Sequence, residues 1–271
     1  MSDSATRIWQ NTDRKRSRFM PSIERQSFQA LRIQIKPILD LFNTGMALED
    51  IKAQIKGLIR KPPIKALIDS IMNRVGMAFA DDSFNQITSQ LKQDTFIDSQ
   101  IEGTLQRVIQ TQAALDVTAI TETTRNWLSL EIQRYIEEGL SIPNAAKKLT
   151  KRFDFIGRAR ATMIARTEII SASNMGSLAG AKSTGLPVQK IWLSARDSFV
   201  RDSHLITDGQ KRNMNQKFNV NGSPAVAPGD PALPANERVN CRCTLIYQVE
   251  GRDNPLTELQ RPEVFDFGQF E

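Results

Sequence analysis

A chain of 271 residues with 40% hydrophobic and 24% charged side chains can bury one large core or two modest ones, which excludes a collagen-like, low-complexity or wholly disordered protein. Charges interrupt the longest apolar runs, such as Ile51–Ile59 and Ile64–Ile71, well short of the ~18 residues that cross a bilayer, so no membrane partner is expected. Two cysteines do not make a secreted disulfide framework, Met1–Gln10 lacks signal-peptide order, and a net charge of +6 suits contact with a polyanion; these features point to a protein assembled in a cytoplasm.

Residues 1–20 read as a flexible basic arm. Its run at 14–18, Arg-Lys-Arg-Ser-Arg, offers Arg14, Lys15, Arg16 and Arg18 to nucleic-acid phosphates, or only to solvent. From 21 to 138 apolar residues recur at three- and four-residue steps, the signature of amphipathic helices. Phe28, Leu31, Ile35, Ile38 and Phe42 form one stripe, with Pro37 expected to kink it. Ile51, Ile55, Leu58 and Ile59 form a second, closed by Lys61-Pro62-Pro63, and Ile64, Ile68, Ile71, Val75 and Phe79 a third. Further helices are expected around 87–91 and 97–109. A long one follows through Val117, Ile120, Leu128, Ile132, Tyr135 and Leu140, ended by Gly139 and Pro143.

Residues 139–149 have the outline of a helix-turn-helix. They read better as a Gly-terminated helix, a Ser141 N-cap and a new helix that spends Ala145, Leu149 and Phe153 on packing. A separate helix is predicted from Ile156 to Gly185, with Ala159, Met163, Ile164, Thr167, Ile170 and Leu178 inward. Its small residues, including Ala172, Gly176 and Gly180, would let a neighbour approach closely. Beyond Pro187 strands are predicted at 188–194, 217–220 and 243–249, with a helical turn near 198–207 and a Gly/Pro/Ala-rich loop at 221–235. The tail, 250–271, carries six acidic and two basic side chains, and Phe265, Phe267 and Phe270 there suit either a docking peptide or a disordered end. The fold class is thus α+β and mainly helical: an N-terminal helical bundle over 21–138, then a small α+β module over 139–249 with a long helix packed on a short sheet.

Three features of that module stand out. Ile164-Ala165-Arg166-Thr167-Glu168 sits inside a helix, where Arg166 and Glu168 lie about 200° apart and cannot pair with each other. Trp192 is followed by Asp197, Arg201 and His204 at four- and three-residue steps, which a helix would place on one face, and then by Asp208-Gly209-Gln210. Pro228-Gly229-Asp230-Pro231 leads to Asn240-Cys241-Arg242-Cys243. The order of these motifs resembles the phage Mu protein F-like head morphogenesis family over roughly residues 139–249. The resemblance implies a low-copy minor head protein of a bacteriophage virion that joins the head near the portal through portal, scaffold or major capsid protein and takes part in head morphogenesis, DNA packaging or ejection. It brings no catalytic mechanism with it, so no enzyme is expected, although some relatives are fused to ADP-ribosyltransferase domains.

His204, Cys241 and Cys243 are the only histidine and the only cysteines in the chain. With Asp197 or Asp230 as a fourth ligand they suit zinc. The other readings are a structural network in which His204 joins Asp197 to a loop, and a Cys–His catalytic pair. An ADP-ribosyltransferase-like use of Arg166 and Glu168 and a non-specific DNA-binding virion protein are the remaining alternatives. In the preferred reading Arg166, Glu168, Asp197, Arg201 and His204 tie the module together through buried polar contacts.

Overall fold

The computed structural model describes residues 4–89 and 99–251. Residues 252–271, with the three phenylalanines of the acidic tail, lie outside the described residues, as do 90–98 between two expected helices. The chain is mainly helical α+β, as its patterning indicates. Helices α1 (Ser4–Ser17), α2 (Met20–Leu41), α3 (Leu48–Leu58), α4 (Pro62–Ile71), α5 (Met77–Ser89), α6 (Ser99–Glu137) and α7 (Ile142–Ser183) precede β1 (Val188–Leu193). Then come α8 (Asp202–Thr207), β2 (Lys211–Asn213), β3 (Phe218–Val220), β4 (Ser223–Ala225), α9 (Ala235–Arg238) and β5 (Thr244–Val249).

Proline and glycine set several boundaries. Pro21, Pro62 and Pro143 occupy the first turns of α2, α4 and α7, where a missing backbone N–H costs nothing. Gly139, at φ +63°, ends α6: its N–H bonds the Ile136 carbonyl and that of Leu140 bonds the Tyr135 carbonyl, a Schellman closure. Pro37 lies inside α2, which runs through it.

The stripes read from the sequence are the buried faces. Leu31, Ile35 and Ile38 of α2, Ile51 and Ile55 of α3 and Ile64 and Ile68 of α4 are at most 3% exposed, and they belong to one hydrophobic core that continues to Val249. The helix of 42 residues, α7, is its spine. It is one unbroken helix, not two joined near Ile156, because no breaker falls there: Gly157 is tolerated against Phe28 and Phe153. Ala159 and Met163, expected inward, are exposed, and the inward face there is Gly157, Ala161, Ile164 and Ala165. Where Ala145, Leu149 and Phe153 begin it, α7 is packed into the core, which agrees with the packing reading of 139–149.

Close approach occurs where the small residues promised it. A Cβ on Gly176 would sit 2.0 Å from the Gly76 carbonyl oxygen, in a π turn between α4 and α5, and one on Gly180 would sit 2.0 Å from that of Ala80 in α5. The backbones touch only because both positions lack a side chain.

The main sheet is antiparallel in the order β2-β1-β5, with Ile191 opposite Ile246 and Lys211. β3 and β4 form a hairpin through Asn221-Gly222, both at positive φ, the conformation such a two-residue turn requires. β2 and β4 are strands that alternation did not reveal, each only three residues long. Val188, Trp192, Leu245 and Tyr247 face the main core. On the opposite face Ile191, Leu193 and Ile246 are covered by Ala5, Ile8 and Trp9 of α1. The segment expected as a flexible arm is therefore a helix, held because it buries the sheet's second face.

Candidate functional site

The stretch 238–243 lies across the middle of α7 and brings the scattered motifs together. Asn240 adopts φ +58° and donates its backbone N–H to Thr167 Oγ1 at 3.2 Å, while the Cys241 N–H bonds the Arg238 carbonyl. This turn points both sulfurs at α8. His204 Nδ1 lies 3.6 Å from Cys241 Sγ and 3.3 Å from Cys243 Sγ, and the three residues are 1–2% exposed. Its other ring nitrogen, Nε2, is 3.3 Å from Glu237 Oε2.

Glu237 is itself held. Burial pushes its carboxyl up, but hydrogen bonds donated by Ser203 and Asn221 outweigh that and lower its pKa. Trp192, fully buried on β1, sets its ring edge-on to His204 at 5.6 Å. The Gly209 N–H donates to the Trp192 carbonyl at 2.8 Å, with Gly209 at φ +75°. The two thiols differ: the hydrogen bond from Cys243 and then His204 lower the pKa of Cys241, whereas burial raises that of Cys243. Among the described residues, this is the group of His, Cys, Asp and Glu whose ligand atoms converge, all within 4.8 Å of one another, and it could hold a metal.

A second centre lies on the neighbouring turn of α7. Glu168 Oε1 and Oε2 accept from Arg238 Nη2 at 2.9 and 3.1 Å, and Asp116 of α6 reaches the same nitrogen at 2.7 Å. Two buried carboxylates on one guanidinium share more negative charge than it cancels. Burial, then Glu168, push Asp116 up to about 9, and although burial opposes the charge on Arg238, the two carboxylates raise its pKa. The triad borders a half-open cleft of ≈ 220 Å³, whose lining includes Ile120, Arg160, Ile164 and Leu233.

A third centre ties α1 to the same segment. Arg16, 3% exposed, bonds Ser173 Oγ at 2.7 Å, Asn174 Oδ1 at 3.1 Å, Thr244 Oγ1 at 3.2 Å and the Cys243 carbonyl at 3.4 Å. Asn174 also donates to the carbonyls of Pro228 and Cys243 and accepts from the Leu245 N–H. Burial lowers Arg16 to about 10.

Several expectations are corrected. Arg166 is exposed and ties nothing into the interior, whereas Glu168 is buried. Asp197, Arg201 and His204 do not share a helix face, because α8 begins at Asp202. Asp197 forms a two-pronged pair with Arg242 at 2.6 Å, Arg201 donates to the Val239 carbonyl, and the carboxylate facing His204 is Glu237. Asp197 is thus engaged elsewhere and Asp230 accepts the N–H groups of Val226 and Ala232, so neither stands as a fourth ligand. Arg16 faces inward, while Arg14, Lys15 and Arg18 remain exposed.

Sequence reading missed Asp116, Asn174, Glu237 and Arg238. For Asn174 a signal existed, a polar residue in a stripe of small ones; for the others the composition of their segments is ordinary.

The chain matches the model of the family described as Phage Mu protein F like protein over residues 126–246. Minor head protein GP7 of Bacillus phage SPP1 is 32% identical over 129 residues, which are 46% of this chain and 41% of that protein. The NAD(+)–arginine ADP-ribosyltransferase EFV of Enterococcus faecalis is 32% identical over 116 residues, 40% of this chain and 24% of that protein. The uncharacterized protein YqbB of Bacillus subtilis is 24% identical over 242 residues, 78% of this chain and 76% of that protein. The chain thus spans less than half the length of the first two relatives. No solved structure matches it.

Proposed function

We propose that the chain, whose residues 126–246 match the phage Mu protein F-like family, is a minor head protein that acts in phage head morphogenesis through assembly contacts and not through catalysis. The observation that carries this reading is the match of that segment to the family, together with 32% identity to a minor head protein across nearly the same share of the chain. The chemistry of the segment supports it. Glu168 spends both oxygens on Arg238, Thr167 receives the Asn240 N–H, and His204 is enclosed by cysteines, a carboxylate and Trp192, so the segment's charged and polar side chains are engaged in packing contacts within the chain.

The likeness to EFV covers only 24% of that protein. A carboxylate already neutralised by arginine is poorly placed to stabilise a new cation. The proposed partners are portal, scaffold or major capsid protein, and the proposed place is the virion head near the portal. Among the described residues no helix is long and apolar enough to cross a membrane. Exposed Arg14, Lys15 and Arg18 are the proposed contacts to packaged DNA, although Lys15 also pairs with Asp82.

The test is to produce the tagged chain together with portal, scaffold and major capsid proteins of one phage, isolate assembled heads, and map its neighbours by cross-linking. The expected result is sedimentation with heads at far below the abundance of the major capsid protein, with cross-links to the portal. Heads that assemble normally and contain none of it would refute the proposal.

A further inference from the structure

We propose that His204, Cys241 and Cys243 form a zinc site that clamps α8 and the 238–243 turn together against α7. The first argument is metric. A tetrahedral zinc with Zn–S near 2.3 Å and Zn–N near 2.0–2.1 Å separates an imidazole nitrogen from each sulfur by about 3.6 Å. His204 Nδ1 is 3.6 and 3.3 Å from the two sulfurs, and all three donor atoms lie within 4.8 Å of one another. The donors are already spread as a metal would spread them.

The second argument concerns the other side of the ring. A metal-bound histidine usually gives its remaining N–H to a carboxylate, which fixes the tautomer. Nε2 faces Glu237 Oε2 at 3.3 Å, and Glu237 is braced by Ser203 and Asn221. A proton on Nε2, on the side of that carboxylate, would leave the Nδ1 lone pair facing the two sulfurs.

Charge and softness supply the third argument. Two thiolates and a neutral imidazole match the preferred donors of zinc, and the dication cancels two anions that burial would otherwise penalise. The ligands lie 37 and 39 residues apart in sequence, so the metal would close a long loop that carries β2 and the short β3–β4 pair. Three protein donors leave one corner of the tetrahedron to a water molecule.

The experiment uses the full chain, purified with reduced thiols and no chelator. Elemental analysis is expected to find one zinc per chain. The chain stripped by chelator is expected to take up Co²⁺ with a thiolate-to-cobalt charge-transfer band, which Zn²⁺ displaces. Glu237→Gln should keep the stoichiometry and weaken zinc binding about 10–100-fold, and Cys241→Ser should weaken Co²⁺ uptake and lower the charge-transfer intensity, since only one thiolate remains. A reduced, folded wild-type chain that takes up neither Zn²⁺ nor Co²⁺ would overturn the proposal, because thiol–imidazole hydrogen bonds alone would then explain the geometry. Zinc retained by a Cys241→Ser, Cys243→Ser double variant would overturn it as well. Since the wild-type titration decides by itself, a variant that fails to fold leaves the test intact.

Discussion

Glu168 on α7 and Arg238 at the end of α9 are joined by both carboxylate oxygens, 2.9 and 3.1 Å from one guanidinium nitrogen, across 70 residues of sequence. Asp116 of α6 meets the same nitrogen. One arginine thus couples the last strand-bearing segment to two helices.

Arg238→Ala should destabilise the chain by about 3–5 kcal/mol, because it leaves the buried Glu168 carboxylate without its cation. Glu168→Gln should cost less, about 1–2 kcal/mol, since the amide keeps one acceptor for Arg238. Urea denaturation of the three proteins gives the comparison. A Glu168→Gln variant as stable as the wild type would mean that the arginine acts by packing alone.

The same triad makes stability depend on pH. Asp116 is pushed up to about 9 in the folded chain, against 3.8 for a solvated aspartate, so between these values the native state holds the extra proton. Its contribution is complete below the unfolded value and is lost as pH rises through about 9. Asp116→Asn should therefore match the wild type near pH 4 and be increasingly the more stable of the two toward pH 9. Parallel stability curves over that range would contradict the shift.

Contact between backbones predicts a sharp contrast among glycines. Gly176→Ala places a methyl group 2.0 Å from the Gly76 carbonyl oxygen, so α7 must move off the π turn, at a cost of about 3 kcal/mol, the upper end for overpacking. Gly57→Ala, exposed on α3 with nothing within 4 Å, should stabilise by about 0.5–1 kcal/mol through helix propensity. Thermal melts of both variants should move in opposite directions.

Arg16 separates from its basic neighbours in the same way. Arg16→Ala removes the donors to Ser173, Asn174 and Thr244 and should cost about 1–3 kcal/mol. Arg14→Ala with Arg18→Ala should leave stability within about 0.5 kcal/mol. If those exposed residues touch DNA, that double variant will also flatten the salt dependence of DNA binding.

Local pattern was enough for much of the fold. Stripes such as Leu31, Ile35 and Ile38 marked the buried side of α2, the small residues of α7 marked its close packing, and β1 and β5 followed from their β-branched and aromatic runs. Those signals are readable because burial of a helix or strand face imposes a period on neighbouring residues. The motif words around Thr167, Trp192 and Asn240 carried the family resemblance for a related reason: each is a local backbone or packing requirement.

Which polar groups meet was decided only when the chain closed on itself. Arg14 and Arg16 are two residues apart in one basic run, yet one faces solvent and the other bonds residues 157–228 positions away. Glu237 and not Asp197 faces His204, because α8 starts too late to carry Asp197 on its face and α9 brings a different carboxylate to the ring. A charged side chain has the same local sequence whether it is solvated or paired. Its energy depends on what the tertiary structure places against it, and no spacing along the chain encodes that partner.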